Sequence, residues 1–281
     1  MKTVVLIPSH IYYPDQVARL DTCLESLCSQ TIVPDIFVSI SFANDTYKRE
    51  LSTLLRKYST VKFKLAAQQK FQMEHLMTLL LFIGDYDMVM FCDDDDTYLP
   101  MRVEEFVKVF EITKEHCVTA GKQFGGVREV KGAEDAQEEA PEYWAYGIPP
   151  SLLFQFFERI KGYEDLMRHK FADMYLRSYL KRTGGTSMMF GCIFATDMSG
   201  LTMYQYTIDN PNSICERHMA QTLTEETVIP IIRDNVTLGL ICDRSDLVEK
   251  HMRAASAPLS KLNKVVPDTD RIKRLIKILY K

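Results

Sequence analysis

The sequence lacks any hydrophobic segment long enough to cross a membrane. Its longest apolar stretch, Leu76–Ile83, is far shorter than the roughly 20 residues that a transmembrane helix needs. The apolar run that follows Met1-Lys2-Thr3 ends at Pro8, which is too early for the hydrophobic core of a secretory signal. We therefore expect a soluble protein of the cytoplasm.

Closely spaced cysteine pairs are also absent. The seven cysteines form an odd count without any CxxC spacing, which argues against a disulfide framework and against a structural zinc site. Cys92 and Cys242 end apolar runs, where a free thiol behaves as a small hydrophobic group. The cysteines therefore indicate a reducing compartment.

Glycine, proline and net charge are all modest. With 12 glycines and 11 prolines in 281 residues, the chain is neither collagen-like nor of low complexity. The 34 basic and 38 acidic residues give a net charge of −4, so charge gives no reason to expect a nucleic-acid partner. No internal repeat or linker composition divides the chain, and we expect a single domain over residues 1–281.

The first hundred residues alternate between two periodicities. Apolar, β-branched runs predict strands, and the segments between them carry apolar residues at helical spacing. This alternation indicates an α/β fold, in which right-handed crossovers join parallel strands. The strands are predicted at residues 3–8, 36–41, 61–66 and 88–92.

The pattern changes after Pro100, where helices become longer and strands fewer. Helices are predicted at residues 102–114, 151–160, 163–180 and, in the basic tail, 271–281; strands are predicted at 117–120, 187–195, 227–232 and 238–242.

Four adjacent aspartates, Asp93-Asp94-Asp95-Asp96, follow the most continuously apolar of the predicted strands. In parallel sheets, ligands bind beyond the carboxyl ends of the strands, where this cluster should lie. Adjacent carboxylates repel one another, so burying them is unfavourable unless a cation or hydrogen-bond donors compensate. Carboxylate oxygens suit Mn²⁺ or Mg²⁺, which also bind phosphates. The alternative is a solvated acidic turn.

The segment Gly84–Pro100 resembles the DXD region of GT-A glycosyltransferases, and it is most similar to their inverting family 2. The opening Val4–His10 is similar to the first strand and I-P-S turn of that family. The resemblance covers residues 3–110 and implies a GT-A fold with a mixed, mostly parallel central sheet flanked by helices. Residues 1–110 would bind the donor, residues 111–250 the acceptor, and residues 251–281 would form a helical tail.

The resemblance also implies an activity and its partners. The expected reaction transfers a sugar from a nucleotide diphosphate, UDP favoured over GDP, to a hydroxyl on a glycan, lipid-linked or protein acceptor. Mn²⁺ or Mg²⁺ would be the cofactor. Implied nucleotide-binding residues are Pro8, Ser9, His10, Asp45, His75, Asp93 and Asp94, and implied metal ligands are Asp93, Asp95 and His251.

Two of these positions depart from the family pattern. The family usually has an acidic pair after the second strand, where this chain has only Asp45, and often an arginine where this chain has His75. The family's general base lies in an E-D pair, for which Glu216 is the first candidate and Asp209 the second. Trp144 either stacks on a sugar ring or anchors its loop by burial.

Two other functions fit the same aspartates. Asp93-x-Asp95-x-Thr97 matches the nucleophile motif of haloacid-dehalogenase-type phosphatases, with Asp243 and Asp246 as the late acidic pair. A non-catalytic nucleotide- or sugar-binding descendant of the fold is the third reading.

The basic tail, residues 271–281, is an amphipathic pattern with two interpretations. Its apolar face either packs on the domain or lies peripherally on an anionic membrane that carries the acceptor. Packing is the favoured interpretation.

Overall fold

A computed structural model describes residues 1–44, 47–113, 117–118, 123–124, 142–169, 171–183, 204–206, 225–256 and 267–279. Its strands are β1 (Thr3–Ile11), β2 (Asp35–Phe42), β3 (Lys62–Leu65), β4 (Met88–Phe91), β5 (Thr97–Tyr98), β6 (Cys117–Val118), β7 (Gln123–Phe124), β8 (Tyr146–Ile148) and β9 (Tyr204–Tyr206). Its α-helices are α1 (Pro14–Cys28), α2 (Tyr47–Lys57), α3 (Gln72–Leu79), α4 (Arg102–Thr113), α5 (Pro150–Arg159), α6 (Asp173–Arg182), α7 (Glu225–Ile241), α8 (Ser245–Ser256) and α9 (Thr269–Leu279).

Strand β1 lies inside a six-stranded sheet of order β3-β2-β1-β4-β8-β6. The first four strands pair in parallel, and β8 is antiparallel to both β4 and β6. The mixed, mostly parallel sheet and its first four strands are therefore as predicted. A second small sheet has the order β5-β9-β7, so the strand that directly follows the aspartates pairs with a segment more than 100 residues later.

The central strands β1 and β4 are rich in apolar residues because both faces of the sheet are covered there. Val4, Leu6, Val89 and Phe91 are all fully buried, which suits strands with helices on both sides. Helix α1 buries Leu20, Leu24 and others at helical spacing. One hydrophobic cluster extends from β1 to the tail helix α9. The single-domain boundaries stay a prediction.

Two of the predicted strands are wrong. Residues 227–232 and most of 238–242 lie in the continuous helix α7, which has Pro230 inside it. Short apolar runs fit a buried strand and a buried helix equally well, which explains the error. The helical spacing is visible afterwards in Ile229, Ile232 and Val236, which form a separate small cluster with residues of α8.

The predicted helix at 163–180 is shorter and divided. A 3₁₀ turn at Leu166–Arg168 comes first, and α6 begins only at Asp173. His169 has an extended backbone, so it interrupts the helical path. Strand β8 was not predicted, because it has only three residues. The predicted strand at 187–195 lies outside the described residues.

The tail forms the predicted amphipathic helix, and its apolar face packs on the domain. Ile272, Leu275 and Leu279 are buried in the main cluster. Arg159 of α5 donates hydrogen bonds of 3.1 and 3.0 Å to the carbonyl oxygens of Ile278 and Leu279, two of the residues that end α9. No helix in the described part of the chain is long and apolar enough to span a membrane.

Gly147 in β8 allows a close approach between the sheet and α4. A Cβ at this position would lie 2.6 Å from Cδ1 of Phe106 and 3.0 Å from Sδ of Met88. We predict that Gly147→Ala lowers the free energy of unfolding by about 1–3 kcal/mol through overpacking, measured by denaturant titration. Gly84→Ala is the control, because nothing lies within 4 Å of its Cβ. Equal stability of the two variants would contradict the prediction.

Candidate functional site

The carboxyl ends of β1, β2 and β4 meet at one edge of the sheet, and Asp93–Asp96 follow β4 there. Cys92 extends the strand, since its amide donates to the carbonyl of Leu6 at 3.1 Å. The chain then turns, and the amide of Asp96 donates to the carbonyl of Asp93 at 3.2 Å. Asp96 is buried, whereas Asp93, Asp94 and Asp95 are half-buried. The turn therefore presents three carboxylates to this edge.

Neighbouring side chains hold Asp93. Its Oδ1 accepts a hydrogen bond from Nε2 of Gln72 at 3.1 Å and another from the hydroxyl of Tyr143. Gln72 lies in the first turn of α3, and Tyr143 lies in a buried 3₁₀ turn before β8. The site therefore combines residues from three separate parts of the chain.

Ser9 connects Asp94 to the first strand. Its hydroxyl donates to Oδ2 of Asp94 at 2.6 Å, and Ser9 itself is buried near the end of β1. Pro8, the residue before it, is also buried. The structure therefore brings Ser9 together with Asp94, and the role of both in a nucleotide pocket stays a prediction.

The carboxylates interact strongly. Burial raises the pKa of Asp93 to about 7, with a further contribution from the charges of Asp95 and Glu142 and a partial opposing effect from the Tyr143 hydrogen bond. Burial also raises the pKa of Asp94 to about 8, and Asp95 and Asp93 add to that shift. Carboxylates that resist ionisation in this way favour a cation among them.

The donor set fits a Mn²⁺ or Mg²⁺ ion that is shared with a diphosphate. Such ions are typically held by one or two carboxylates together with water and substrate phosphates. Asp93 and Asp95 supply two carboxylates. Across the described ranges, no three His, Cys, Asp or Glu side chains are close enough to form a complete protein site for a metal. His251 lies in α8, and no such group there includes it.

His10 and His75 belong to a hydrogen-bond network beside the aspartates. His75 is buried and joins Ser39 Oγ through Nδ1 at 2.8 Å and Ser41 Oγ through Nε2 at 2.9 Å. Ser41 Oγ also bonds Nδ1 of His10, which is half-buried. His75 is therefore linked to the half-buried His10 through Ser41.

His75 is kept neutral by its surroundings. Burial, with smaller contributions from the charges of His10 and Lys70, lowers the pKa of His75 to about 3. An arginine at this position would bring a permanent charge, whereas a neutral imidazole offers one donor and one acceptor. The departure from the family pattern therefore replaces a charge with a neutral, hydrogen-bonded side chain.

Asp173 is a site residue that the sequence analysis missed. It opens α6, and burial raises its pKa to about 8, with further contributions from Glu142 and Asp93. The helix that Asp173 opens is tied to the turn of Tyr143, since Arg177 of α6 pairs with Glu142 at 3.4 Å. An acid in the first turn of a helix was the available signal, but the prediction of one helix over 163–180 placed Asp173 in its interior.

Several predicted residues cannot be placed, and others lie in different surroundings from those expected. Asp45, Asp209 and Glu216 lie outside the described residues. Trp144 is buried and its carbonyl accepts a hydrogen bond from Arg102 at 2.9 Å, which agrees with its role as a loop anchor. Asp243 pairs with Arg182 at 2.8 Å and is 80% exposed, and Asp246 pairs with Arg244 at 2.7 Å. Each of the two acids that the phosphatase alternative needs is thus engaged by an arginine.

Comparison with known families identifies the class of protein. Residues 4–184, more than half of the chain, match the model of glycosyl transferase family 2. The chain therefore belongs to this family and is a glycosyltransferase. No curated protein matches the sequence.

Solved structures of S. aureus TarS have a similar fold. The complex of its residues 1–349 with UDP-GlcNAc matches with a TM-score of 0.55 and 11% identity, over 94% of this chain and 78% of that chain. The complex with UDP matches with a TM-score of 0.53 and 12% identity, over 99% and 90%. A longer TarS structure gives a TM-score of 0.56 and 11% identity, over 98% and 50%. At such low identity, the likeness shows the fold alone, and it confirms the GT-A prediction.

The low pKa of His75 has a consequence for stability. Because the folded pKa of about 3 is below the ordinary value of 6.5, the unfolded chain binds the extra proton. The contribution of neutral His75 to the free energy of unfolding is therefore complete above pH 6.5, and it is lost as the pH falls towards 3. We predict that His75→Gln lowers the melting temperature at pH 7 and that its difference from the unmodified protein narrows by pH 4. The prediction would be contradicted if the melting temperatures of His75→Gln and the unmodified protein differed by the same amount at pH 7 and at pH 4.

Proposed function

We propose that the protein transfers a sugar from a nucleotide diphosphate to an acceptor hydroxyl, with a divalent metal and with inversion at the anomeric carbon. The observation that carries the proposal is the carboxylate turn at the end of β4 in a chain of glycosyl transferase family 2. UDP is the favoured nucleotide, because similar TarS structures were solved with UDP-GlcNAc and with UDP.

Asp95 and Asp93 would hold the metal against the diphosphate. When bound, Mn²⁺ or Mg²⁺ neutralises charge on the departing diphosphate. The raised pKa values of Asp93 and Asp94 support this assignment, since a cation would favour the ionised forms of both. Ser9 would keep Asp94 in place, and His10 with Ser41 would contact the nucleoside. His251 is the weakest candidate ligand, because it groups with no pair of acidic side chains in the described ranges.

Asp173 is the general base that we assign for the acceptor. It would take the proton of the acceptor hydroxyl while the oxygen attacks the anomeric carbon and the bond to the diphosphate breaks, with its electrons going to the diphosphate. Its pKa of about 8 lies in the range that suits proton removal near neutral pH. Its helix pairs through Arg177 with Glu142, next to the Tyr143 that bonds Asp93, so donor and acceptor chemistry would meet here.

The acceptor would be a glycan, a lipid-linked sugar or a protein hydroxyl in the cytoplasm. Helix α9 has already buried its apolar face, so a membrane contact would use the exposed residues of its other side, among them Lys273, Arg274 and Lys277. Such contact would be electrostatic and would weaken as salt increases. No nucleic-acid partner is proposed.

The metal site can be tested without knowing the acceptor. In a thermal-shift screen of UDP-, GDP-, ADP- and CMP-sugars with and without Mn²⁺, we predict that one nucleotide stabilises the fold and that Mn²⁺ increases the shift. Asp95→Ala should remove the Mn²⁺-dependent part of the nucleotide-induced thermal shift. Without ligand, its melting temperature should stay within a few degrees of that of the unmodified protein. A protein that ignores all four nucleotides would favour the non-catalytic alternative, and phosphate release with an aspartyl-phosphate at Asp93 would favour the phosphatase.

The base can be tested separately from donor binding. Asp173→Asn keeps the size and removes the basicity, so we predict that kcat falls about 100-fold or more while the donor Kd stays within about threefold. NMR of the fresh product should show inverted anomeric configuration. Near-normal turnover of the variant would move the assignment to Glu216 or Asp209, and retention would exclude a single-displacement base at any of these positions.

A further inference from the structure

Asp93 and two side chains beside it, those of Gln72 and Tyr143, form a closed set of hydrogen bonds. Nε2 of Gln72 donates to Oδ1 of Asp93 at 3.1 Å and to the hydroxyl oxygen of Tyr143 at 3.0 Å. The hydroxyl of Tyr143 donates to the same Oδ1. Both hydrogens of the amide group and the single hydrogen of the phenol are thus used, and every bond has a definite donor.

The phenol of Tyr143 is fixed by its surroundings rather than by this contact alone. Tyr143 is 1% exposed, and its ring lies 5.4 Å from the ring of Phe91 in β4, measured between centroids. The 3₁₀ turn Tyr143–Ala145 leads directly into β8, which pairs with β4. The position of the hydroxyl therefore follows from the same sheet that positions Asp93.

The turn is also tied to the helix that begins with Asp173. Glu142, the residue before Tyr143, pairs with Arg177 of α6 at 3.4 Å, and Arg177 is 11% exposed. One short segment therefore contacts the carboxylate of Asp93 through Tyr143 and helix α6 through Glu142. Glu142 is 32% exposed, so this is a partly buried ion pair that connects the turn to α6.

We propose that Tyr143 and Gln72 are positioning residues that fix the carboxylate of Asp93 for the metal and the diphosphate. Two donors on one oxygen restrict rotation of the carboxylate, so the group is already oriented before the donor binds. Neither residue has to touch the sugar nucleotide. The proposal rests on the metal-dependent donor binding proposed above.

The test uses UDP as the probe and the full chain. Calorimetric titrations with Mn²⁺ and with EDTA separate the metal-dependent part of UDP affinity from the rest. Tyr143→Phe removes only the hydroxyl, and we expect it to weaken UDP binding in Mn²⁺ about tenfold or more, the usual effect of losing a hydrogen bond to a charged group, with no change in EDTA. Gln72→Ala should have the same kind of effect.

The double variant tests whether the two residues act on the same oxygen. In the variant that combines Tyr143→Phe with Gln72→Ala, the fold loss of UDP affinity in Mn²⁺ should be smaller than the product of the two single fold losses. The reason is that either change alone already releases the carboxylate of Asp93. Losses that multiply fully would show independent roles and would overturn the shared-position proposal.

Tyr179→Phe is the matched control. Tyr179 is another buried tyrosine, and its hydroxyl has no hydrogen-bond partner in the described part of the chain, so its removal should leave UDP binding unchanged. If Tyr143→Phe binds UDP in Mn²⁺ as the unmodified protein does, the positioning role is overturned and the proposed function stands. If the unmodified protein shows no Mn²⁺-dependent binding of any nucleotide, both are overturned.

Discussion

Repulsion between adjacent carboxylates at the end of a buried strand is the constraint on which this site depends. The strand that precedes them is fully apolar and buried, and four acidic residues follow it within a single turn. Each one must be hydrated, hydrogen-bonded, protonated or paired with a cation. Ser9, Gln72 and Tyr143 each supply a donor, and the remaining charge is what a divalent cation would balance.

The same constraint explains why distant segments converge here. Residues of β1, α3 and the turn before β8 all hydrogen-bond to the aspartates. Helix α6 is connected to the same turn through the pair of Arg177 with Glu142. Asp173 shows the same electrostatic effect. Burial raises the pKa of its carboxyl, and the charges of Glu142 and Asp93 raise it further. A site in which the acids influence one another in this way responds as a unit when a cation enters, rather than residue by residue.

The parts of the fold that could be predicted are those with a strong local pattern. The strands around Leu6, Val38 and Met90 are β-branched or apolar runs bounded by turn residues, and the aspartates are contiguous. Strand β8 has too few residues to show a period, and α7 contains two apolar runs that read equally well as strands. Tyr143 and Gln72 could not be assigned, since only the folded chain brings them to Asp93. Asp173 is an acid in the first turn of a helix, which is a recognisable signal, but the prediction of one helix over 163–180 puts it in the helix interior.

The sheet ends at β3, a four-residue edge strand whose Lys62 and Lys64 alternate with Phe63 and Leu65. Nζ of Lys62 lies 4.5 Å from the ring centroid of Phe37 in the neighbouring strand, so its stem covers apolar surface while its charge stays near the edge. A foreign strand that added to this edge would have to desolvate an ammonium group with every second residue. The lysines therefore protect the open side of the sheet against edge-to-edge aggregation.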